Sequence, residues 1–273
     1  KEAALYWLKL GFISFGGPAS QISMMHEEVV ERKKWIDDKS FFHALNFTML
    51  LPGPEAQQLA TYLGWLMHGR IGGFTAGILF IVPSFFILIV LTYIYVNFSN
   101  SPWGEGILYG VKAGVIAIIF SATIKIARKV LNKYYYWLTA ILAFAAINVL
   151  DANFPLIIIS AAIVGLFFYF KENDNKNISQ NSYKPSNEIY KKSIKTFLIT
   201  VILWSLGFSL ILLSREDILS NLSLFFSKAA LVTFGGAYAL LPYVFQNIIE
   251  NHGWLTSQQM IDGLALGEST PGP

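Results

Sequence analysis

Phe15-Gly16-Gly17 and Phe234-Gly235-Gly236, together with Pro52-Gly53-Pro54 and Pro271-Gly272-Pro273, are the residues whose types and spacing best suit chemistry. Glycine pairs and X-Pro bonds interrupt helices. Pro54 suits the first position of a following helix, because its missing N–H would have had no partner there. Such a break aims backbone N–H groups and the positive end of a helix dipole at one spot. This favours an anion by about 0.3–1 kcal/mol per terminus, or about 2 kcal/mol when partly buried. Gly53 lets a ligand approach the backbone, and Gly16-Gly17-Pro18 offers the same feature before a helix predicted over Ala19–Lys34. Gln21, Gln57 and Gln58 place neutral donors near the breaks. Lys9 and Lys228 each stand six residues before a Phe-Gly-Gly, where they either supply positive potential or reach out to an interface. Glu268 precedes the second Pro-Gly-Pro and is a candidate proton carrier, while Glu55 follows the first and suits a helix cap. His26, His43, His68 and His252 lack ligand spacing, and there is no cysteine, so neither a metal site nor a cofactor is expected.

These landmarks are duplicated in register. An offset of 219 carries Phe15–Gly17 onto Phe234–Gly236, Trp35 onto Trp254 and Pro52–Pro54 onto Pro271–Pro273. Lys9, Glu31 and Leu45 map onto Lys228, Glu250 and Leu264, and Ala237 replaces Pro18. The chain reads as one complete unit and the start of a second. Its ends, at Lys1 and Pro273, look cut, and the second unit is expected to lack the continuation that follows Pro54 in the first.

The elements that must hold these breaks are apolar helices. Hydrophobic residues make up 54% and charged residues 14% of the 273, against about 25% charged in ordinary globular proteins. A formal net charge of +3 gives no reason to expect nucleic acid as a partner. The fold class is therefore an all-α integral membrane protein, a polytopic bundle with broken or re-entrant helices and an inverted-topology repeat. Spans are predicted at Ile71–Phe98, Gly106–Ile124, Tyr134–Leu150, Asn153–Phe170 and Thr196–Ser214, with a kink at Pro83. Five spans before the second unit make it enter from the opposite face. Gly69/Gly73/Gly77 and Gly106/Gly110/Gly114 suit close helix packing, and Lys112 reads as a residue that reaches toward the interface. The loops over 125–133 and 171–195 are basic, whereas those over 97–105 and 151–153 carry no Lys or Arg, so the basic ones are placed in the cytoplasm. The organisation is a first repeat over 1–170, a polar linker over 171–195, and a connecting span with the start of the second repeat over 196–273.

FGGPASQISMMHEEVVERKKW, then LLPGPEAQQLATYLGWLMHGRIGGFTAG, and TFGGAYALLPYVFQNIIENHGWLTSQQMIDGLALGESTPGP together resemble the chromate ion transporter family. The resemblance implies a carrier in a prokaryotic inner membrane that exports chromate, built from two homologous antiparallel halves. It implies that the Phe-Gly-Gly and Pro-Gly-Pro residues matter for transport. The expected partners are chromate or a similar tetrahedral oxyanion, the lipid bilayer and a second copy of the chain. Sulfate shares chromate's charge and shape and is the alternative substrate. An intramembrane enzyme acting on lipid phosphate is the alternative of another class, weakened by the lack of arginine near Pro-Gly-Pro before Arg70.

Overall fold

The computed structural model describes residues 1–273 apart from 100, 132, 151–153, 173–186, 214–215 and 234–239. Its elements are helical: α1 Glu2–Ile13, α2 Gly17–His26 running into a π-helical turn at Glu27–Arg32, α3 Asp38–Met49, α4 Glu55–Phe98, α5 Pro102–Val130, α6 Tyr134–Leu150, α7 Phe154–Glu172, α8 Asn187–Leu213, α9 Asp217–Val232, α10 Leu241–Phe245 running into a π-helical turn at Gln246–Asn251, and α11 Ser257–Glu268. They form two compact units, one over Lys1–Leu138 with Leu231–Pro273 and the other over Thr139–Ala230.

Local chemistry accounts for the helix starts. Asp37 caps α3 by accepting the Ser40 amide, and the Ser40 hydroxyl bound to the same carboxyl holds it below the ordinary carboxylate range. Thr256 and Gln259 form a reciprocal capping box at α11. Ser101 accepts the Gly104 amide at α5, whose first turn holds Pro102.

In the first unit, α4 is a hairpin. His68 (φ −138°, ψ 21°) and Gly69 (φ 63°, ψ −151°) reverse the chain, so that Gly64 faces Gly72 and Thr61 faces Gly73 and Gly77. Gln57 Nε2 closes the far end by donating to the Gly77 carbonyl at 2.9 Å. The dihedrals at Pro83, where the sequence predicts a kink, stay helical; the non-helical residues inside α4 are His68 and Gly69, and at Gly69 a positive φ costs glycine little. α1 and α3 pack on this hairpin, with Trp7, Leu10, Phe41, Ala44, Leu59 and Phe80 in the core. Gly11 lets α1 approach α4 closely, since a Cβ there would lie 2.7 Å from the Phe80 carbonyl oxygen. By contrast, a Cβ at Gly106, Gly110 or Gly114 would meet no atom within 4 Å among the described residues, so this second glycine stripe packs nothing here.

The 219-residue offset is visible in the backbone. It carries the π-helical turn Glu27–Arg32 onto Gln246–Asn251 and α3 onto α11. Trp35 N and Trp254 N donate at 2.9 Å to Val29 O and Ile248 O, both in buried residues. Lys34 (φ 52°) and its counterpart Gly253 (φ 61°) turn the chain in the left-handed region. We therefore expect Gly253→Ala to destabilise by about 1 kcal/mol, read as a lower melting temperature in detergent, and Lys34→Gly to raise that temperature.

The second unit contains α7, α8 and the larger parts of α6 and α9. Two stretches of the described chain, Glu55–Phe98 and Ile194–Leu213, are long and apolar enough to cross a membrane. Phe197, Leu203, Trp204 and Leu213 on α8 are exposed, as on a lipid-facing helix. Segments 125–130, 171–172 and 187–195, read as loop and linker from the sequence, are helical. Lys and Arg are good helix formers that extend an apolar helix toward water. The Asp151–Asn153 turn and the linker core 173–186 lie outside the described residues.

Candidate functional site

The first unit brings the broken segments together crosswise. Gly272 N donates to Ser14 O at 3.1 Å, joining the second Pro-Gly-Pro to the residue before the first Phe-Gly-Gly. Gly53 N donates to Thr233 O at 2.8 Å, joining the first Pro-Gly-Pro to the residue before the second Phe-Gly-Gly. The 219 offset carries Gly53 onto Gly272 and Ser14 onto Thr233, so exchanging the repeats exchanges the two bonds. This reciprocity is the signature of a contact about a two-fold axis.

The glycines and glutamines explain how the crossing closes. Gly53 (φ 125°) and Gly272 (φ 105°) occupy backbone conformations that L side chains rarely adopt. A Cβ on Gly53 would lie 2.6 Å from Gln58 Nε2, and one on Gly272 would lie 2.5 Å from Ser84 Oγ on α4. Gln58 Nε2 donates to Pro52 O at 2.6 Å, and buried Gln21 reaches from α2 to donate to Gly272 O at 2.6 Å. Gly272 is thereby held through both its N–H and its carbonyl. These acceptors fix which end of each carboxamide faces them. The opposite ends, Gln21 Oε1 and Gln58 Oε1, and the Ser14 hydroxyl are buried without a hydrogen-bond partner.

The outcome differs in part from an open anion cradle. In this conformation the Gly53 and Gly272 amides are donated to protein carbonyls. Among the described residues, α2 and α4 begin without a side-chain cap, leaving their first-turn amides without side-chain acceptors. Gly16 (φ 88°) and Gly17 (φ 77°) supply the turn into α2, Pro18 lies in its first turn, and Phe15 is half exposed. Pro54 caps α4 in extended conformation; Pro271 is buried and Pro273 exposed. Lys9 is exposed on α1, away from the Trp7 and Leu10 face, and Lys228 is exposed on α9 in the other unit. Glu268 is partly buried at the end of α11. Phe234, Gly235 and Gly236 lie outside the described residues.

Sequence reasoning missed one charged constellation, built around buried Asp262. Lys112 does not reach toward an interface. Its Nζ lies 2.6 Å from Asp262 Oδ1, and the Tyr95 hydroxyl donates to Asp262 Oδ2 at 3.0 Å. The one acidic residue in the otherwise uncharged stretch 251–267 was the available signal.

Exposed apolar helices, a glycine-lined hairpin and interrupted segments together define a helical membrane protein. The family described as "Chromate transporter" matches residues 1–166 and 220–273. The chain belongs to the chromate transporter family, a family of transporters and not of enzymes. Over the whole chain it is 30% identical to a probable chromate transport protein of Synechococcus elongatus, covering 66% of that protein. It is 29% identical over its whole length to a chromate transport protein of Cupriavidus metallidurans, covering 64%. Over 98% of its length it is 32% identical to one of Pseudomonas aeruginosa, covering 62%. The chain thus spans just under two thirds of the length of these relatives. No solved structure matches it.

Proposed function

We propose that the protein is a secondary carrier that exports chromate across a prokaryotic inner membrane. The observation that carries this reading is the reciprocal pair of backbone bonds, Gly272 N to Ser14 O and Gly53 N to Thr233 O. Two repeats that grip each other through the same broken segments, related by a two-fold axis, suit alternating access. One repeat rocks against the other, the crossed bonds part, and the Gly53 and Gly272 amides turn from protein carbonyls to a tetrahedral oxyanion. The uncapped starts of α2 and α4 add positive dipole ends, and the ammonium groups of Lys9 and Lys228 are candidate sources of positive potential. The basic segments 125–133 and 171–195 face the cytoplasm under the positive-inside rule. Outward movement of a dianion from a cell that is negative inside is favoured by about 2.3 kcal/mol per charge per 100 mV, so no ATP site is needed.

Expression of the complete gene in a chromate-sensitive cell tests this reading. We expect several-fold less retained chromate than in cells with empty vector. Equal retention at confirmed membrane abundance refutes export. Excess external sulfate added to inverted membrane vesicles then reads selectivity: strong inhibition of chromate uptake identifies a general oxyanion carrier.

A further inference from the structure

We infer that Asp262 and Lys112 are positioning residues: their ion pair sets the face and register with which α11 lies on α5, and so brings Gly272 to Ser14. The inference concerns where Gly272 sits; its consequence for transport rests on the carrier reading. Asp262 is 4% exposed on α11, with the Lys112 ammonium from α5 at 2.6 Å and the Tyr95 hydroxyl from α4 at 3.0 Å. One carboxylate thus ties three elements together. Further along the same segment, Gly272 is held by Ser14 O on its amide and by Gln21 on its carbonyl. Only the rest of α11 and the residues 269–271 separate the two anchors. Sliding α11 along its axis by one residue would carry its end about 1.5 Å, enough to break the 3.1 Å bond from Gly272 N to Ser14 O.

The repeat shows why a polar anchor falls on this helix. α3, the counterpart of α11, lies on α4 and buries Phe41, Ala44 and Thr48. The 219 offset carries these onto Met260, Gly263 and Gly267. A Cβ on either glycine would meet nothing within 4 Å among the described residues, so two of the three grips of α3 have no counterpart. α11 buries Met260, Asp262 and Ala265 instead and packs chiefly against α5. With about 3.6 residues per turn, Asp262 and Ala265 fall on the other side of the helix from Gly263 and Gly267. His43, the counterpart of Asp262, is exposed. The second copy of the hairpin is therefore seated by a different face, and the charge sits on that face. In lipid no hydrophobic force selects one side of a helix over another. A buried ion pair adds little net stability over apolar residues of the same size, but a displaced partner leaves an unpaired charge, so the pair admits one register.

Hydrogen exchange on the complete protein in detergent tests the inference. Pro271 and Pro273 carry no N–H, so the Gly272 amide is the one that exchanges between them. Gly53, flanked by Pro52 and Pro54 and following α3, is the internal control. The variant Lys112→Met/Asp262→Leu removes both charges and leaves neither unpaired. We expect it to stay monodisperse, with the Gly272 amide exchanging at least about tenfold faster and the Gly53 amide within about threefold of wild type. The exchanged pair Lys112→Asp/Asp262→Lys should restore slow exchange at Gly272. Chromate retained by cells making each protein should rise and fall with the Gly272 rate. Slow exchange at Gly272 in the apolar pair overturns the inference. So does equal acceleration at Gly272 and Gly53, an apolar pair that does not fold, or an exchanged pair as fast as the apolar one. The expected exchange rates in a series where even wild type moves no chromate uphold the positioning role and refute the carrier reading.

Discussion

Gly53→Leu and Gly272→Leu should each leave host cells as loaded with chromate as cells carrying empty vector. Both positions combine a positive φ, an amide committed across the repeat and no room for a side chain. A non-glycine residue held in such a conformation costs about 1–3 kcal/mol, and the crossed hydrogen bond it weakens contributes about 0.5–1.5 kcal/mol. At Gly53 the new Cβ lies 2.6 Å from Gln58 Nε2 and would push it off the Pro52 carbonyl. At Gly272 the obstruction is Ser84 on α4. A joint penalty of about 2–4 kcal/mol shifts an equilibrium between carrier conformations by more than tenfold, enough to stop a cycle that must visit both. Gly263→Ala on α11 is the control, since its Cβ meets nothing within 4 Å. It should export normally and gain up to about 1 kcal/mol of helix stability. Retained chromate, measured at matched membrane abundance, decides the matter. Clamp variants that export like wild type would refute the role given to these glycines.

Gly72→Leu should have a larger effect on folding, removing most monodisperse protein from detergent extracts. In the α4 hairpin, Gly64 and Gly72 put backbone against backbone: a Cβ on Gly64 would lie 2.5 Å from the Gly72 carbonyl oxygen, and one on Gly72 would press on the Gly64 carbonyl. Backbone cannot rotate aside as a side chain can. The arms would have to separate, pulling Gln57 from Gly77 and opening the core around Leu59, Leu63 and Phe80. Overpacking a tight core costs about 1–3 kcal/mol or more, and lipid supplies no hydrophobic force to close the arms again. Gly106→Ala, on a stripe that touches nothing described, should extract as wild type. Size-exclusion profiles of the two variants side by side provide the measurement. A sharp wild-type peak for Gly72→Leu would show that the arms need not touch.

Several features were legible in the sequence itself. The predicted spans Ile71–Phe98 and Tyr134–Leu150 coincide with helices because uninterrupted apolar runs have one stable backbone state in lipid. The 219-residue repeat could be read from three landmarks, and it recurs in the backbone down to paired π-helical turns. The breaks at Gly16-Gly17 and Gly53 were readable because glycine and proline act on their own dihedrals, whatever surrounds them.

What those breaks bond to could not be read. That Gly53 meets Thr233 and Gly272 meets Ser14 is a matter of partners more than 170 residues apart in the chain, and local propensity carries no information about them. The same holds for Lys112, whose side chain is long enough either to reach water or to find Asp262; only the seat of α11 against α5 selects the carboxylate. Two glycine stripes of identical spacing likewise diverged, Gly73 and Gly77 lying against Thr61 while Gly106, Gly110 and Gly114 touch nothing described. Sequence alone determined where this chain's apolar helices run, that it breaks at Gly16-Gly17 and Gly53, and that it repeats, because each follows from a residue's own backbone and its affinity for lipid. Tertiary structure decided which break grips which, because hydrogen bonds and ion pairs are made between surfaces that meet only once the helices have packed.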